Sequence, residues 1–253
     1  MIGDLKNRYM FRNLTPTVRN LIIVNVVLFL GKGALPEDLF TLHYFQAKDF
    51  YFFQVVTYMF VHANFMHLLS NMFGLFMFGS LLERVWGAQR FLFFYFFCGI
   101  GAGLLYMGIQ HFIDFADFRR ATELVLSNPS SFNLTDYVQH FSVINPIEPI
   151  NSDWVRANYA EFINRSVVGG ASGAIFGILM AFGYLFPNSE MFLFPLPIPI
   201  KAKYFVSFYG LYELYQGIQQ SEGDNVAHFA HIGGMIFAVI LLKYWGTKRN
   251  TFF

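Results

Sequence analysis

The sequence has very little charge and almost no cysteine. Of its 253 residues only 13% are Asp, Glu, Lys or Arg, and the single cysteine, Cys98, lies inside an apolar stretch. Soluble domains carry about 25% charged residues, so we expect most of this chain to be solvated by lipid. One cysteine excludes a disulfide framework and any zinc site built on several thiolates. The net charge of +1 gives no indication of a nucleic-acid partner.

Long apolar stretches dominate the chain instead. Apolar residues make up 55% of the sequence, aromatic residues 20%, and the mean hydropathy is +0.44. A helix needs roughly 20 apolar residues to cross about 30 Å of hydrocarbon, and several stretches approach that length. We therefore predict an all-α membrane protein, a bundle of six transmembrane helices. They are expected at about residues 17–30, 66–82, 90–110, 172–186, 203–219 and 226–245.

The distribution of basic residues predicts how this bundle is oriented. If the N-terminus is cytoplasmic, eleven of the seventeen Lys and Arg residues fall in the inner segments, although the outer segments are much longer. Cytoplasmic loops of membrane proteins carry an excess of Lys and Arg. We therefore expect both termini in the cytoplasm of a multi-pass protein of a bacterial inner membrane. The inner residues are Lys6, Arg8, Arg12, Arg19, Arg84, Arg90, Lys201, Lys203, Lys243, Lys248 and Arg249.

A serine flanked by glycines lies where an outer loop meets the fourth predicted helix. In Gly170-Ala171-Ser172-Gly173 the glycines allow close approach of backbone and ligand. A helix N-terminus also offers free N–H groups that can stabilise an oxyanion. By itself the motif is weak, because Gly-x-Ser-Gly arises by chance and small residues in membrane helices are usually packing contacts.

A histidine in the sixth predicted helix strengthens the hypothesis of a nucleophilic serine. His231 lies on the same outer side as Ser172, and ionisable residues within a membrane are functional candidates because their burial is costly. A serine needs such an adjacent base to become nucleophilic. Gly233 and Gly234 would let this helix approach Gly173. A histidine bonded to a neighbouring carbonyl is the alternative interpretation.

The second predicted helix contributes a further pair of polar residues, His67 and Asn71. Their spacing of four places both on one helix face. Both side chains can donate hydrogen bonds, so together with the Ser172 N–H they can hold the oxyanion of a tetrahedral intermediate. An isolated His-x-x-x-Asn pair could instead be a polar contact between helices.

In combination these motifs resemble those of the rhomboid family of intramembrane serine proteases. That family pairs His-x-x-x-Asn on helix 2, Gly-x-Ser-Gly at the start of helix 4 and Ala-His-x-x-Gly on helix 6. This sequence has all three, in that order and in the predicted helices. The Glu83-x-x-x-Gly87-x-x-Arg90 turn after helix 2 is also similar to the family's. The resemblance extends over residues 20–244.

The resemblance implies a role for each site residue. Ser172 is the nucleophile, His231 the general base, and His67 and Asn71 the oxyanion donors, while Phe176 stacks on the imidazole. Gly170, Gly173 and Gly234 support the site, and no metal or cofactor is implied. The implied chemistry is peptide cleavage through an acyl-enzyme. We expect a Ser-His dyad, because no carboxylate is positioned to complete a triad.

The implied substrates are single-span membrane proteins, cut near the outer side of the bilayer. Besides these substrates and the lipid, no partner is implied, and the oligomeric state is open. The best-known bacterial members have Trp-Arg in the first loop, where this chain has Phe53-Gln54. Anchoring of that loop, over residues 31–65, through an arginine is therefore in doubt. We expect the loop to lie partly in the membrane.

A long polar insertion separates the third and fourth predicted helices. We predict one domain over residues 1–253 with this extracytoplasmic insertion at about 111–168, containing short helices near 117–126 and 153–164. The second helix is expected to begin at a Ser152-Asp153 cap. Its apolar face could rest on the bilayer interface or on the outer ends of the helices, and our hypothesis is a lid that screens substrates. That face comprises Trp154, Val155, Tyr159, Phe162 and Ile163.

Other classes of protein explain fewer of these residues. A zinc protease could use His62, His67, His228 and His231, but no His-Glu-x-x-His motif supports it. The six predicted helices contain no aspartate, which argues against an aspartyl protease. A catalytically inactive, rhomboid-like binding protein would not need both the serine and the histidine, and a transporter would show paired charges or broken repeats. Glu213 is interpreted as a packing residue of the fifth helix.

Overall fold

A computed structural model describes residues 14–34, 36–127, 137–139, 142, 144, 151–192, 199–219 and 226–246, which are mostly helical. The helices are α1 (Pro16–Leu30), α2 (Glu37–Phe40), α3 (Gln54–Thr57), α4 (Phe65–Gly74), α5 (Ser80–Trp86), α6 (Ala88–Ile109), α7 (Ala116–Ser127), α8 (Ser152–Arg165), α9 (Ser172–Leu185), α10 (Ala202–Gln219) and α11 (His228–Tyr244). Two small antiparallel sheets pair β1 (Leu42–His43) with β2 (Val167–Val168) and β3 (Glu190–Phe192) with β4 (Pro199–Lys201).

Each of the six predicted segments contains a helix, with ends that differ by a few residues. A π-helical stretch, Leu75–Gly79, joins α4 to α5, so this helix continues over Phe65–Trp86. Within the described chain this helix and Ala88–Ile113 are long and apolar enough to cross a membrane, whereas Pro16–Leu30, Ser172–Leu185 and His228–Tyr244 are shorter apolar helices. The prediction of an all-α bundle is confirmed.

A buried carboxylate joins the start of α1 to the middle of α5. Glu83 accepts hydrogen bonds from the backbone N–H groups of Thr17 and Val18 and from the Thr15 hydroxyl. Thr15 precedes the first-turn proline, but its own side chain does not cap the helix. Glu83 takes that role, because a negative charge is favourable beside the free N–H groups of a helix N-terminus.

Glycines bring α9 into backbone contact with α11. A Cβ atom added at Gly234 would lie 1.8 Å from the carbonyl oxygen of Gly173, and one at Gly177 would lie 3.1 Å from the carbonyl oxygen of Gly234. No larger residue fits at Gly234 unless the two backbones separate. The predicted close approach of these helices is confirmed, and it fixes the depth of His231 relative to Ser172.

The insertion forms its own small hydrophobic core. Trp154 and Val155 of α8 are buried with Phe118 and Val125 of α7 and with Tyr137. A second cluster contains Ile163 of α8, Tyr44 of the first loop and Phe115, which directly precedes α7, with Tyr159 and Phe162 packed against it. The apolar face of α8 therefore packs within the insertion and against the first loop and the end of the bundle.

The N-terminus of α8 differs by one residue from the prediction. Asn151, rather than Ser152, caps the helix, and its side-chain oxygen accepts hydrogen bonds from the N–H groups of Asp153 and Trp154. Asparagine is at least as good a cap as serine. The Ser152-Asp153 cap was wrong because two adjacent residues could both serve, and only the backbone conformation distinguishes them.

A buried glutamine holds the first loop together. Gln54 is fully buried, and its side-chain oxygen accepts hydrogen bonds from the N–H groups of His43 (3.3 Å) and Tyr51 (3.1 Å). Its amide nitrogen donates to the carbonyl oxygens of Leu39 (3.2 Å) and Asp49 (2.8 Å). This chain has Gln54 where the best-known bacterial family members have an arginine. The hydrogen bonds of this neutral side chain anchor the first loop at four backbone positions.

Candidate active site

The first loop positions the chain that enters α9. Strand β1 of that loop pairs with β2, and the N–H of Gly170 donates to the carbonyl oxygen of Tyr58 at 2.8 Å. Gly170 has φ +130°, and a Cβ atom there would lie 2.7 Å from the imidazole of His67. Only glycine combines this backbone conformation with so close an approach. The contacts with the first loop and with His67 thus fix the position of Ser172, the first residue of α9.

A direct hydrogen bond joins the serine and the histidine of the motifs. The Oγ atom of Ser172 lies 2.9 Å from Nε2 of His231, and the His231 side chain is buried. The ring of Phe176, one turn further along α9, stacks on this imidazole with a centroid separation of 4.1 Å and an interplanar angle of 7°. The structure therefore brings together Ser172, His231 and Phe176 in the arrangement that the resemblance implies.

Of the pair on α4, His67 lies beside the segment that enters α9, and Asn71 is buried one turn further along α4. Asn64 caps α4 by accepting a hydrogen bond from the N–H of His67 at 2.9 Å, and the His67 ring lies against Gly170. Asn71 is buried, and its side-chain Nδ2 has no hydrogen-bond partner within the described part of the chain. A buried amide donor without a partner is costly in a finished fold. Asn71 thus has a free donor to offer to a ligand.

A second histidine lies beside His67. His62 precedes α4, and its ring meets the His67 ring edge-on with centroids 5.1 Å apart. Burial lowers the pKa of His62 to about 4, because the interior disfavours the charged imidazolium. His62 is therefore neutral at physiological pH. Since the pKa of His62 is lower in the folded than in the unfolded chain, its contribution to stability is present above the unfolded value and is lost as the pH falls.

The structure contradicts the expectation that no carboxylate lies at the imidazole. Glu213 of α10 is buried, with 3% of its surface exposed. Its Oε2 atom lies 2.7 Å from Nδ1 of His231 and 2.7 Å from Nδ1 of His228. The interpretation of Glu213 as a packing residue was therefore wrong. A signal was available, since Glu213 is the only acidic residue of α10, and an ionisable residue in a membrane helix usually has a partner.

The same three residues are the candidates for holding a metal ion in the described chain. One ligand atom each from Glu213, His228 and His231 lies within 4.8 Å of the others. In the structure Oε2 of Glu213 is at hydrogen-bond distance from Nδ1 of each histidine. The zinc alternative with four histidines is not supported by this geometry, because His62 and His67 are not part of the group.

Comparison with known proteins shows which family the sequence matches. The model of the Rhomboid domain matches residues 49–116 and 153–247, which together make up more than half of the chain. The unmatched residues between these ranges lie inside the expected insertion.

Three curated relatives carry rhomboid names. The chain is 26% identical to Rhomboid protein 1, mitochondrial, of Saccharomyces cerevisiae over 72% of the chain and 38% of that protein. It is 25% identical to RHOMBOID-like protein 12, mitochondrial, of Arabidopsis thaliana over 74% of the chain and 44% of that protein. It is 35% identical to Rhomboid-like protein 11, chloroplastic, of Arabidopsis thaliana over 34% of the chain and 30% of that protein. The chain thus spans less than half the length of each relative.

The family match and the apolar helices lead to the same classification. The matched ranges contain the bonded Ser172–His231 pair, His67 and Asn71, and the helices long enough to span a bilayer. The protein is therefore a membrane protein, and the chain belongs to the rhomboid family.

Proposed function

We propose that this protein is an intramembrane serine endopeptidase that cleaves membrane-anchored proteins. The observation that carries the proposal is the hydrogen bond of 2.9 Å between the Oγ atom of Ser172 and Nε2 of His231. A serine at a helix N-terminus, bonded to a buried imidazole, has both the base and the backbone N–H groups that acyl transfer requires. Rhomboid proteins are generally intramembrane serine proteases, and membership of that family supports the same activity.

The proposed reaction is acyl transfer in two steps. His231 accepts the Ser172 proton as Oγ attacks the scissile carbonyl carbon, and the Ser172 N–H, His67 and Asn71 hold the oxyanion. His231 then gives the proton to the leaving amine as the C–N bond breaks. A water molecule, deprotonated by His231, attacks the resulting ester and releases the new carboxyl terminus and the free serine.

The length of α9 suggests where the cleavage occurs. Its 14 residues span about 21 Å at about 1.5 Å each, against roughly 30 Å of hydrocarbon. If the inner end of α9 reaches the inner interface, Ser172 lies on the order of 9 Å below the outer surface. We infer single-span membrane proteins as substrates, cut near the outer ends of their helices. Small or helix-breaking residues should be favoured there, because the helix must unwind to expose a carbonyl.

The location and orientation of the protein are a further part of the proposal. Its basic residues favour both termini in the cytoplasm, and we propose a bacterial inner membrane as its site. The relatives named above are called mitochondrial and chloroplastic. A reporter fused to each end of the chain, active on one side of the membrane only, tests the orientation. Opposite locations of the two ends would contradict it.

Substitution of the bonded pair tests the proposed activity. We expect Ser172→Ala and His231→Ala each to abolish cleavage of a transmembrane substrate in proteoliposomes, while both variants still insert into the membrane. Residues that act as a unit have non-additive effects, so the double variant should be no worse than either single variant. A serine-directed phosphonate should label the wild type and fail to label Ser172→Ala.

An exposed serine in α10 provides the matched control. Ser207→Ala removes a hydroxyl at an exposed position of α10 and should keep both labelling and cleavage. Substantial cleavage by Ser172→Ala would contradict the proposal. Absence of labelling and of cleavage in the folded wild type would instead favour a binding protein that has kept the fold without the activity.

A further inference from the structure

One carboxylate oxygen in the site is shared by two histidines. Oε2 of Glu213 lies 2.7 Å from Nδ1 of His231 and 2.7 Å from Nδ1 of His228. All three side chains are buried, with 3% of Glu213, 9% of His228 and 8% of His231 exposed. Glu213 comes from α10, whereas both histidines come from the first turns of α11. The contact therefore joins two helices at the site.

With Glu213 ionised, these contacts assign the imidazole protons. An ionised carboxylate can only accept hydrogen bonds, so Nδ1 of each histidine must carry the hydrogen. In a neutral imidazole only one ring nitrogen is protonated, which leaves Nε2 of His231 with a free lone pair. That nitrogen faces Oγ of Ser172 at 2.9 Å. Glu213 therefore selects the one tautomer in which His231 can act as a base.

The carboxylate also lies where charge develops during the reaction. When His231 takes the serine proton it becomes a cation, and a buried anion at hydrogen-bond distance stabilises that cation more strongly than it would in water. The Phe176 ring covers one face of the imidazole but has no acceptor for the Nδ1 hydrogen. Phe176 can hold the plane of the ring, while the choice of tautomer requires Glu213.

We propose that Glu213 is a positioning residue for His231, held in place by His228, so that the centre works as a Ser-His-Glu triad. This inference rests on the proposed protease function. His228 supplies the second hydrogen bond to the carboxylate and so restricts its rotation about the side chain. His228 acts through Glu213 and has no direct part in the reaction.

Three glutamate substitutions separate charge from packing. Glu213→Gln keeps the size of the side chain and an accepting oxygen but loses the charge, and Glu213→Asp keeps the charge on a shorter side chain. Glu190→Gln, at an exposed position of β3, is the matched control. Cleavage of a transmembrane substrate in proteoliposomes gives kcat and KM, and thermal unfolding in detergent reports the fold.

We expect Glu213→Gln to lower kcat with little change in KM. Loss of the acid from a serine-protease triad costs about ten-thousandfold when the wrong tautomer results. That figure is also for the change of an acid to its amide, so the expected fall is at least about tenfold and up to about ten-thousandfold, according to whether the amide turns its oxygen or its nitrogen to Nδ1 of His231. Glu213→Asp should have a higher kcat than Glu213→Gln, since charge matters more than fit. Glu190→Gln should match the wild type.

A double-variant cycle tests the role of His228. His228→Ala should lower kcat about threefold to tenfold, and it should cost much less in the Glu213→Gln background, since coupled residues have non-additive effects. Equal costs in both backgrounds would show that His228 acts independently of Glu213. If Glu213→Gln fails to fold, the same cycle with Glu213→Asp in its place tests whether His228 acts through Glu213.

Several results would overturn the triad. These are a kcat of Glu213→Gln within about twofold of the wild type, a loss confined to KM, or a kcat of Glu213→Asp equal to or below that of Glu213→Gln. Failure of the triad and failure of the protease proposal are distinguishable. If Ser172→Ala is inactive and Glu213→Gln is fully active, only the triad fails, whereas an active Ser172→Ala removes the basis of both.

Discussion

The side chains of the site differ in whether they have hydrogen-bond partners in the resting protein. Ser172, His231 and Glu213 are joined in a chain of hydrogen bonds. Asn71, by contrast, is buried with an amide nitrogen that has no partner among the described residues. A donor that is buried and unsatisfied in the resting protein gains most when an oxyanion forms beside it. Asn71 is thus the residue whose bond should be made mainly in the transition state.

We predict that Asn71→Ala lowers turnover more than substrate affinity. Loss of one oxyanion donor typically reduces kcat about a hundredfold to a thousandfold, and KM should change little. Steady-state cleavage in proteoliposomes measures both constants. Ser70→Ala, the adjacent exposed position on α4, is the control and should keep wild-type kinetics. A raised KM with unchanged kcat would make Asn71 a structural residue.

Residues in short motifs could be predicted together with their roles, whereas the partner of a residue brought in by tertiary contact could not. Ser172 and His67 each belong to a local pattern that the sequence displays. Glu213 reaches His231 only because of how α10 is rotated against α11, and the apolar pattern of α10 does not fix that rotation. Gln54 is a similar case, since its four hydrogen bonds depend on the path of the first loop.

The helices at the site are placed by small residues. The sequence predicted that glycines would allow α9 and α11 to approach, because small residues in membrane helices permit backbone contact. Which carbonyl meets which glycine could not be predicted, since a shift along either helix would use the same residues. In the structure Gly234 meets the carbonyl oxygen of Gly173, one residue after the serine. This register sets the distance between the two bonded side chains.

We predict that Gly234→Ala separates these helices and destabilises the protein. An added Cβ atom would lie 1.8 Å from a backbone oxygen, and overpacking of this kind costs about 1–3 kcal/mol or more. Thermal unfolding in detergent should show a lower midpoint, and cleavage should fall because His231 moves relative to Ser172.

A second helical glycine offers a matched control. At Gly108 of α6 nothing lies within 4 Å of an added Cβ atom, and alanine is favoured over glycine inside a helix by about 0.5–1 kcal/mol. Gly108→Ala should therefore unfold at the same or a slightly higher temperature than the wild type. Equal midpoints for the two variants would show that the contact between α9 and α11 can relax.

In the whole molecule the insertion is connected to the site through the first loop. Helix α8 packs through Ile163 against Tyr44, and Lys48 donates its backbone N–H to the side-chain oxygen of Asn164 at 3.0 Å. The first loop in turn bonds the segment before Ser172 through the strand pair of β1 and β2. The insertion can therefore influence the site without covering it. Whether it screens substrates as a lid stays a prediction.

We predict that replacing residues 116–158 with a short Gly/Ser linker changes substrate choice while the serine stays reactive. The linker removes α7 and half of α8, but it keeps Ile163, the strand pair and all the proposed site residues. A phosphonate probe should therefore label Ser172 at close to the wild-type rate. A panel of transmembrane substrates should be cleaved with less discrimination, because a surface connected to the first loop is gone.

A point variant separates loss of the insertion from loosening of its core. Trp154→Ala keeps the full chain but empties a buried position between α7 and α8, and removal of a buried aromatic costs about 3–5 kcal/mol. If a loosened insertion relaxes discrimination as the linker does, screening requires an ordered surface.

Unchanged labelling and unchanged preference in the linker variant would reject the lid and make the insertion peripheral to catalysis. Loss of labelling would give it a different role, that of supporting the first loop, and through β1 and β2 the entry into α9.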